Sequence, residues 1–417
     1  MDIVVLADRY KKHHFRSLEQ HFTGRYLYEG TQNPEAVLAH KPALVICFDE
    51  HYCELANLIA TVKENGVATL QVMDGILEWR RTWDYVREGR PVDGVVLPLN
   101  QPVLSDKIAC LGRRDARIME SWGNFGKCEI VGAPRMDGLV ERRLSGKIPE
   151  IRPKGRKSRI LVMTAKTPGF TESQVRITTD ALRDLKKYFD QRNDIDVVWR
   201  LTADLDRTLG THNNLVDLAG TELHELLEQV DAVITTPSTS MLESMLLNRP
   251  VALLDYFNIP HYFEAAWSIS CEQQIPQVVE ELLEPPPHRF DFQQFLLEEQ
   301  LACKAAASGR LIRLIEEMLR AKESSSKQKV EYPLRILNDQ NLFFNSELPL
   351  SDLQRYYPSF PVPSDMAMRE KSVELAAARG TILLLGQKVE FLVKRLESIP
   401  GYTLLRKVKK FVRGIRW

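Results

Sequence analysis

The sequence predicts an α/β protein made of two Rossmann-like units followed by a helical C-terminal extension. Three observations carry this. Short apolar runs alternate with polar segments of helical spacing through the first third of the chain, the pattern of parallel strands joined by crossover helices. The alternation restarts after a Pro/Gly/basic stretch, Gly146-Lys147-Ile148-Pro149-Glu150-Ile151-Arg152-Pro153-Lys154-Gly155-Arg156-Lys157, that lacks apolar periodicity. At 417 residues the chain also exceeds the size at which one core stops growing. The expected division is 1–150 for a first unit, 151–325 for a second with trailing helices, and 326–417 for a connector and a basic tail.

In order along the chain, Ile3–Ala7 reads as a first strand and Lys41–Asp49 as a later strand ending in an acid. A helix near Glu54–Asn65 and a strand over Val67–Met73 follow. Ligands of open α/β sheets bind beyond the carboxyl ends of strands, which marks Asp8, Asp49 and Asp74 as cleft residues; the alternative is that each caps the next helix. The second unit reads as strand Arg159–Thr164, helix Glu172–Gln191, strands Asp196–Leu201 and Leu215–Leu218, helix Glu222–Gln229, strand Ala232–Thr235, helix Thr239–Leu247 and strand Val251–Tyr256. Helices over Ile275–Leu283 and Phe292–Arg320 are separated by Glu284-Pro285-Pro286-Pro287-His288, which no helix crosses.

With 44% hydrophobic and 27% charged residues the composition is that of a globular protein. The formal net charge of zero conceals an asymmetry: from Lys371 to Trp417 there are 11 basic and 3 acidic residues, leaving 45 basic and 53 acidic before them. An acidic body is a poor match for nucleic acid, so no nucleic-acid partner is expected. The six cysteines show no CxxC spacing and no zinc-type cluster, and are read as reduced thiols. The N-terminus lacks a signal-peptide pattern and no apolar run approaches the ~20 residues that span a bilayer, so a cytoplasmic location is expected. In the tail, Leu404, Leu405, Val408, Phe411, Val412 and Ile415 share one helical face and Lys/Arg residues largely hold the other. Residues 402–417 therefore read as an interfacial helix on the inner (plasma) membrane, or as a docking segment for a protein.

The most informative stretch is Asp231-Ala232-Val233-Ile234-Thr235-Thr236-Pro237-Ser238-Thr239-Ser240-Met241-Leu242-Glu243, closing with Asn248-Arg249-Pro250-Val251. A buried strand feeds small hydroxyl residues and then a helix. Ser238, Thr239 and Ser240 either cradle a phosphate with the free N–H groups there or simply cap the helix. This arrangement resembles the nucleotide-binding signature in the second domain of GT-B glycosyltransferases. Upstream, Val131-Gly132-Ala133-Pro134-Arg135-Met136-Asp137 is similar to an element of CDP-glycerol glycerophosphotransferase-like surface-polysaccharide enzymes. The position of Asn248 departs from the glycine that many such proteins carry.

The resemblance implies two domains facing across a cleft and transfer of a sugar from a nucleotide-activated donor on the second domain. The acceptor, a lipid-linked or growing polysaccharide, would sit on the first. It implies Ser238, Thr239 and Ser240 at the donor phosphates and Glu243 at the ribose, with Lys166 and Arg200 offsetting charge on the leaving nucleotide. The proton acceptor belongs on the first domain. Asp74, in Gln71-Val72-Met73-Asp74-Gly75-Ile76-Leu77-Glu78-Trp79, is the first choice, with Glu78 and Asp8 in reserve; the similar enzymes carry His-Gly there. The nucleotide-sugar is a substrate, and no cofactor or metal is expected. Asp204-Leu205-Asp206 is formally a DxD, but follows a strand of the second unit. Alternatives are a CDP-polyol phosphotransferase, a non-hydrolysing UDP-sugar 2-epimerase and an inactive GT-B scaffold.

Overall fold

The computed structural model describes residues 2–7, 18, 25–28, 33–80, 100, 102–148, 157–202, 204–212, 221–257, 262–324 and 330–337. The expected strand at 215–218, Asp8, most of the 146–157 linker and the tail helix at 402–417 lie outside them. Two parallel sheets form an α/β architecture. The first contains β1 (Asp2–Val5), β2 (Arg25–Tyr28), β3 (Leu44–Cys47), β4 (Ala68–Val72), β5 (Lys107–Cys110) and β6 (Cys128–Ile130), in the order β2-β1-β3-β4-β5-β6. The second contains β7 (Ser158–Met163), β8 (Ile195–Arg200), β9 (Ala232–Thr235), β10 (Val251–Leu254) and β11 (Trp267–Ile269), in the order β11-β10-β9-β7-β8. Every described pairing is parallel.

The strands that form the sheet centres read as unbroken apolar runs because helices cover both faces. All of Leu44–Cys47 is at 0% exposure, as are Ala232, Val233 and Ile234. Helix Glu172–Phe189 starts where Thr171 accepts the Gln174 N–H at 3.2 Å, and lays Ala181, Leu182, Leu185 and Phe189 on the second sheet. β2, β5, β6 and β11 are additions to the sequence reading: three or four residues each, too short for periodicity to distinguish.

The expected helix Phe292–Arg320 is instead two helices, Pro287–Gln300 and Ala307–Ser324. The break is imposed by tertiary contacts. Leu301 is extended, the Ala302 N–H donates to the Leu111 carbonyl, and the Asp137 carboxylate receives the N–H groups of Ala307 (2.6 Å) and Ser308 (2.9 Å). The second of these helices then crosses to the first sheet, burying Leu311, Leu314, Ile315 and Met318 against Ile3, Val5, Leu44 and Ile46.

The two sheets share a core. One apolar cluster joins Met73, Ile76, Leu77, Met136 and Leu139 to Leu226, Met241, Leu242, Met245, Tyr262 and Phe263. At the far side, the Lys107–Glu129 ion pair (2.8 Å, both side chains 1% exposed) pins residues 333–337. Glu129 receives the N–H groups of Ile336 and Leu337, and Lys107 donates to the Pro333 carbonyl.

Candidate functional site

Strand order fixes where a ligand fits. In each sheet the order reverses beside the first strand, between β1 and β3 and between β7 and β9, and such switch points open a crevice at the carboxyl ends. β3 delivers Phe48 and Asp49 there, β4 delivers Met73–Arg80, β7 delivers Thr164–Lys166 and β9 delivers Thr236–Ser240. These loops meet. The Ile76 N–H donates to Thr239 Oγ1 at 3.1 Å, and a Cβ on Gly75 would lie 2.5 Å from the same oxygen. Glycine is required by that approach.

Around the contact lies a cavity of about 450 Å³ whose lining includes Asp49, Gln71, Asp74, Glu78, Lys166 and Thr239. Asp74, Glu78, Lys166 and Thr239, drawn from widely separated sequence positions, thus surround one space. Glu78 also lines a narrower neighbour of about 50 Å³, with Arg80, Thr236, Asp255, Phe257 and Tyr262. Arg80 spans the two sheets there: its guanidinium pairs with both Asp255 oxygens (2.9 and 3.1 Å) and lies 4.8 and 4.7 Å from the ring centroids of Phe257 and Tyr262. Burial, reinforced by the Glu78 charge, pushes the Tyr262 phenol well above its usual range, so it stays a neutral hydrogen-bonding group.

The other expected residues lie elsewhere. The Ser238 and Ser240 hydroxyls hydrogen-bond each other, and the Ser240 N–H points to Ser238 Oγ at 3.3 Å. Glu243 is 5% exposed and both its oxygens are engaged, one by Arg135 Nη1 at 2.5 Å and one by His224 Nε2 at 3.0 Å. Burial alone would raise its pKa, but the His224 hydrogen bond and the Arg135 charge outweigh it and hold the carboxylate below its ordinary value. Arg200 ends β8, where its carbonyl receives the Thr164 N–H, and lines neither cavity. Asp204 is 83% exposed at a left-handed turn (φ 59°), so the DxD stands away from the crevice lining. Asn248 takes φ 55°, a conformation asparagine tolerates without being glycine.

Sequence reasoning missed Arg80, Gln71, Trp122 and Tyr262. Arg80 carried a signal, since it closes the Glu78-Trp79-Arg80 run after Asp74-Gly75. The other three are visible only once the chain is folded. Among the described residues no group of three or more His, Cys, Asp or Glu is placed to hold a metal ion.

The solved structures resembling this arrangement include the S. aureus MnaA–UDP complex, at 13% identity over 76% of this chain and 96% of that one, with TM-score 0.50. A protein named as a UDP-N-acetylglucosamine 2-epimerase from Listeria monocytogenes matches at 11% identity over 79% and 98%, TM-score 0.50. The wall teichoic acid polymerase TagF, as a histidine-to-alanine variant, matches at 14% identity over 78% and 90%, TM-score 0.50. The fold is GT-B. No protein-family model and no curated protein matches the sequence. In GT-B terms, the crevice between β4 and β9 is the cleft between the two halves, and the Ile76–Thr239 hydrogen bond crosses it. Among the described residues no helix is long and apolar enough to cross a membrane.

Proposed function

We propose that the protein is a glycosyltransferase that moves a sugar from a nucleotide-activated donor to a hydroxyl of a lipid-linked or growing polysaccharide. The observation that carries this reading is the convergence of Asp74 and Glu78 with Lys166 and Thr239 around one cavity at the strand ends. In the proposed step, Asp74 takes the proton of the acceptor hydroxyl as that oxygen attacks the anomeric carbon. The bond from that carbon to the nucleotide phosphate breaks, and Lys166 faces the charge that develops on the departing phosphate. Glu243, to meet a ribose, exchanges one of its bonds; His224, 42% exposed, is the partner more easily displaced.

The nucleotide is the first thing to measure. Calorimetry with UDP, GDP, CDP, CMP and ADP should show selective binding that Glu243→Ala weakens; UDP is the first choice, since a GT-B neighbour is solved with it. Asp74→Asn should then lower transfer by about 10²–10⁴-fold while nucleotide binding persists. Unchanged turnover removes Asp74 from the mechanism. An epimerase would interconvert the donor without any acceptor, and a polyol phosphotransferase would leave a phosphodiester in its product. Absence of any nucleotide binding at millimolar concentration would favour the scaffold alternative. The basic segment 402–417 is proposed to hold the enzyme at an anionic membrane surface, which co-sedimentation with phosphatidylserine vesicles, with and without the segment, tests.

A further inference from the structure

A side chain from the first half fills the crevice of the second sheet. The loops after β7, β9 and β10 surround a space of only about 50 Å³, whereas small-ligand pockets run to about 300–1,000 Å³. Its walls include Phe170, Thr236, Asp255, Phe257 and Tyr262, and the group seated among them is the Arg80 guanidinium. The seat has the chemistry of a ring site. Arg80 forks onto both oxygens of Asp255, itself 7% exposed, at 2.9 and 3.1 Å. It lies 4.8 Å from the Phe257 ring centroid and 4.7 Å from that of Tyr262. A guanidinium is flat, stacks on aromatic faces and carries its N–H donors at the edge. A nucleobase is flat, stacks on the same faces and also carries N–H donors at its edge.

Position agrees with chemistry. The loop after β7 borders both spaces: Lys166 lines the 450 Å³ cavity, and its neighbours Ala165 and Thr167 line the narrow one. A nucleotide with its phosphate at Lys166 therefore has a flat slot one residue away for its base, and Arg80 holds that slot. Asp255 sets the terms of exchange. A carboxylate this buried is costly to leave without a partner, so the entrant that displaces the guanidinium brings an N–H of its own. Glu78 lines both spaces and offers the displaced cation a second carboxylate.

We propose that Arg80 is a built-in competitor for the base of the donor nucleotide: it occupies the base slot beside Asp255, Phe257 and Tyr262, and the nucleotide enters by turning it out. This rests on the transfer reading and adds to it where the base lies and what guards that place. Because Arg80 belongs to the first half and Asp255 to the second, donor entry also undoes one of the bonds that join the halves.

The test is a difference in sign. Calorimetry on the full-length protein compares the parent with Arg80→Ala and Arg80→Lys, using UDP, uridine and inorganic pyrophosphate as probes. If GDP, CDP or ADP binds the parent more tightly than UDP, that nucleotide and its nucleoside take their places. A slot held by its own side chain lowers apparent affinity by the fraction of time it is open. Arg80→Ala should therefore bind nucleotide and nucleoside roughly tenfold more tightly than the parent, with pyrophosphate unchanged. Arg80→Lys, which lacks the planar fork, should fall between. An Arg80 that holds phosphate predicts the reverse, with nucleotide and pyrophosphate weakened together. An Arg80 that only latches the halves moves all three probes alike. Either pattern, or unchanged affinity for nucleotide and nucleoside, would overturn the proposal. Should melting show that Arg80→Ala does not fold, Arg80→Lys carries the same comparison. Nucleotide binding with any of these overturning patterns sinks this inference alone, whereas failure of every nucleotide against parent and variants sinks the transfer reading and this inference with it.

Discussion

Thr239 has a hydroxyl that does two things: it accepts the Ile76 N–H and fills the space where any side chain on Gly75 would stand. Gly75→Ala must therefore drive the hydroxyl away and break the bond, at an expected cost of about 1–3 kcal/mol. Thr239→Ala vacates that space, and the next atom, Thr239 Cβ, lies 3.7 Å from the added carbon. In a double-mutant cycle by denaturant unfolding, Gly75→Ala should cost less in the Thr239→Ala background than alone; additive losses would mean the contact is not tight. Glu120 gives a pH signature. Its side chain is 1% exposed beside Arg335 at 2.6 Å. Burial, against the pull of Arg335, pushes its pKa from 4.5 up to about 7. The native state therefore holds this proton more tightly than the unfolded chain, so its contribution to stability falls as pH rises from about 4.5 to about 7. Glu120→Gln should match the parent below that window and gain on it steadily through it, read from melting temperatures. A constant offset across all pH values would remove Glu120 as the source.

At the scale of elements, what could be read from the sequence and what could not divide along one physical line. Strands such as β9 and β10 are legible because an unbroken apolar run between polar turns has little else to do. The loops at the strand ends were legible with them, and Asp74, Lys166 and Thr239, which lie in three of those loops, line one cavity; which loops flank a switch point depends on strand order and was not legible. The split between Pro287–Gln300 and Ala307–Ser324 was not legible, because nothing local to residues 301–306 breaks a helix there. The cause is Asp137, far upstream, acting as a cap for the later helix. Asp137→Ala should cost about 0.5–2 kcal/mol, measured by chemical unfolding, even though Asp137 is itself the last residue of the motif that carried the functional resemblance. Gln71 was illegible for a related reason: in a strand it reads as one polar interruption, and only the fold shows that it borders a cavity. The Lys107–Glu129 pair belongs at this scale too, since it ties residues 333–337 to β5 and β6. Lys107→Met leaves Glu129 buried without its cation, a loss of about 3–5 kcal/mol. Hydrogen exchange at Ile336 and Leu337 should speed up more than exchange in β9.

Across the whole molecule, the core does not respect the division into halves. Met241, Leu242 and Met245 from the second half pack in the same cluster as Met73, Ile76 and Met136 from the first. Arg80–Asp255 and Arg135–Glu243 reinforce that seam with partly buried ion pairs. Both sheets should accordingly melt in one transition. Met245→Ala, which empties a fully buried site at the seam, should lower stability by about 2–5 kcal/mol for probes in either sheet alike. Separate transitions by calorimetry would show that the seam is weaker than its packing implies.

That seam also limits what can be exchanged. A laboratory that wished to alter the nucleotide preference by replacing residues 158–300 with the corresponding part of another GT-B protein would inherit a foreign surface opposite Met73, Ile76, Met136 and Leu139. It would lose the partners of Arg80 and Arg135 at the same time, leaving two cations facing unmatched ground. Residues 307–324, which pack against the first sheet, would have to stay behind with it. A workable chimaera therefore carries the seam residues of one parent on both sides, and it changes only the loops around the cavity.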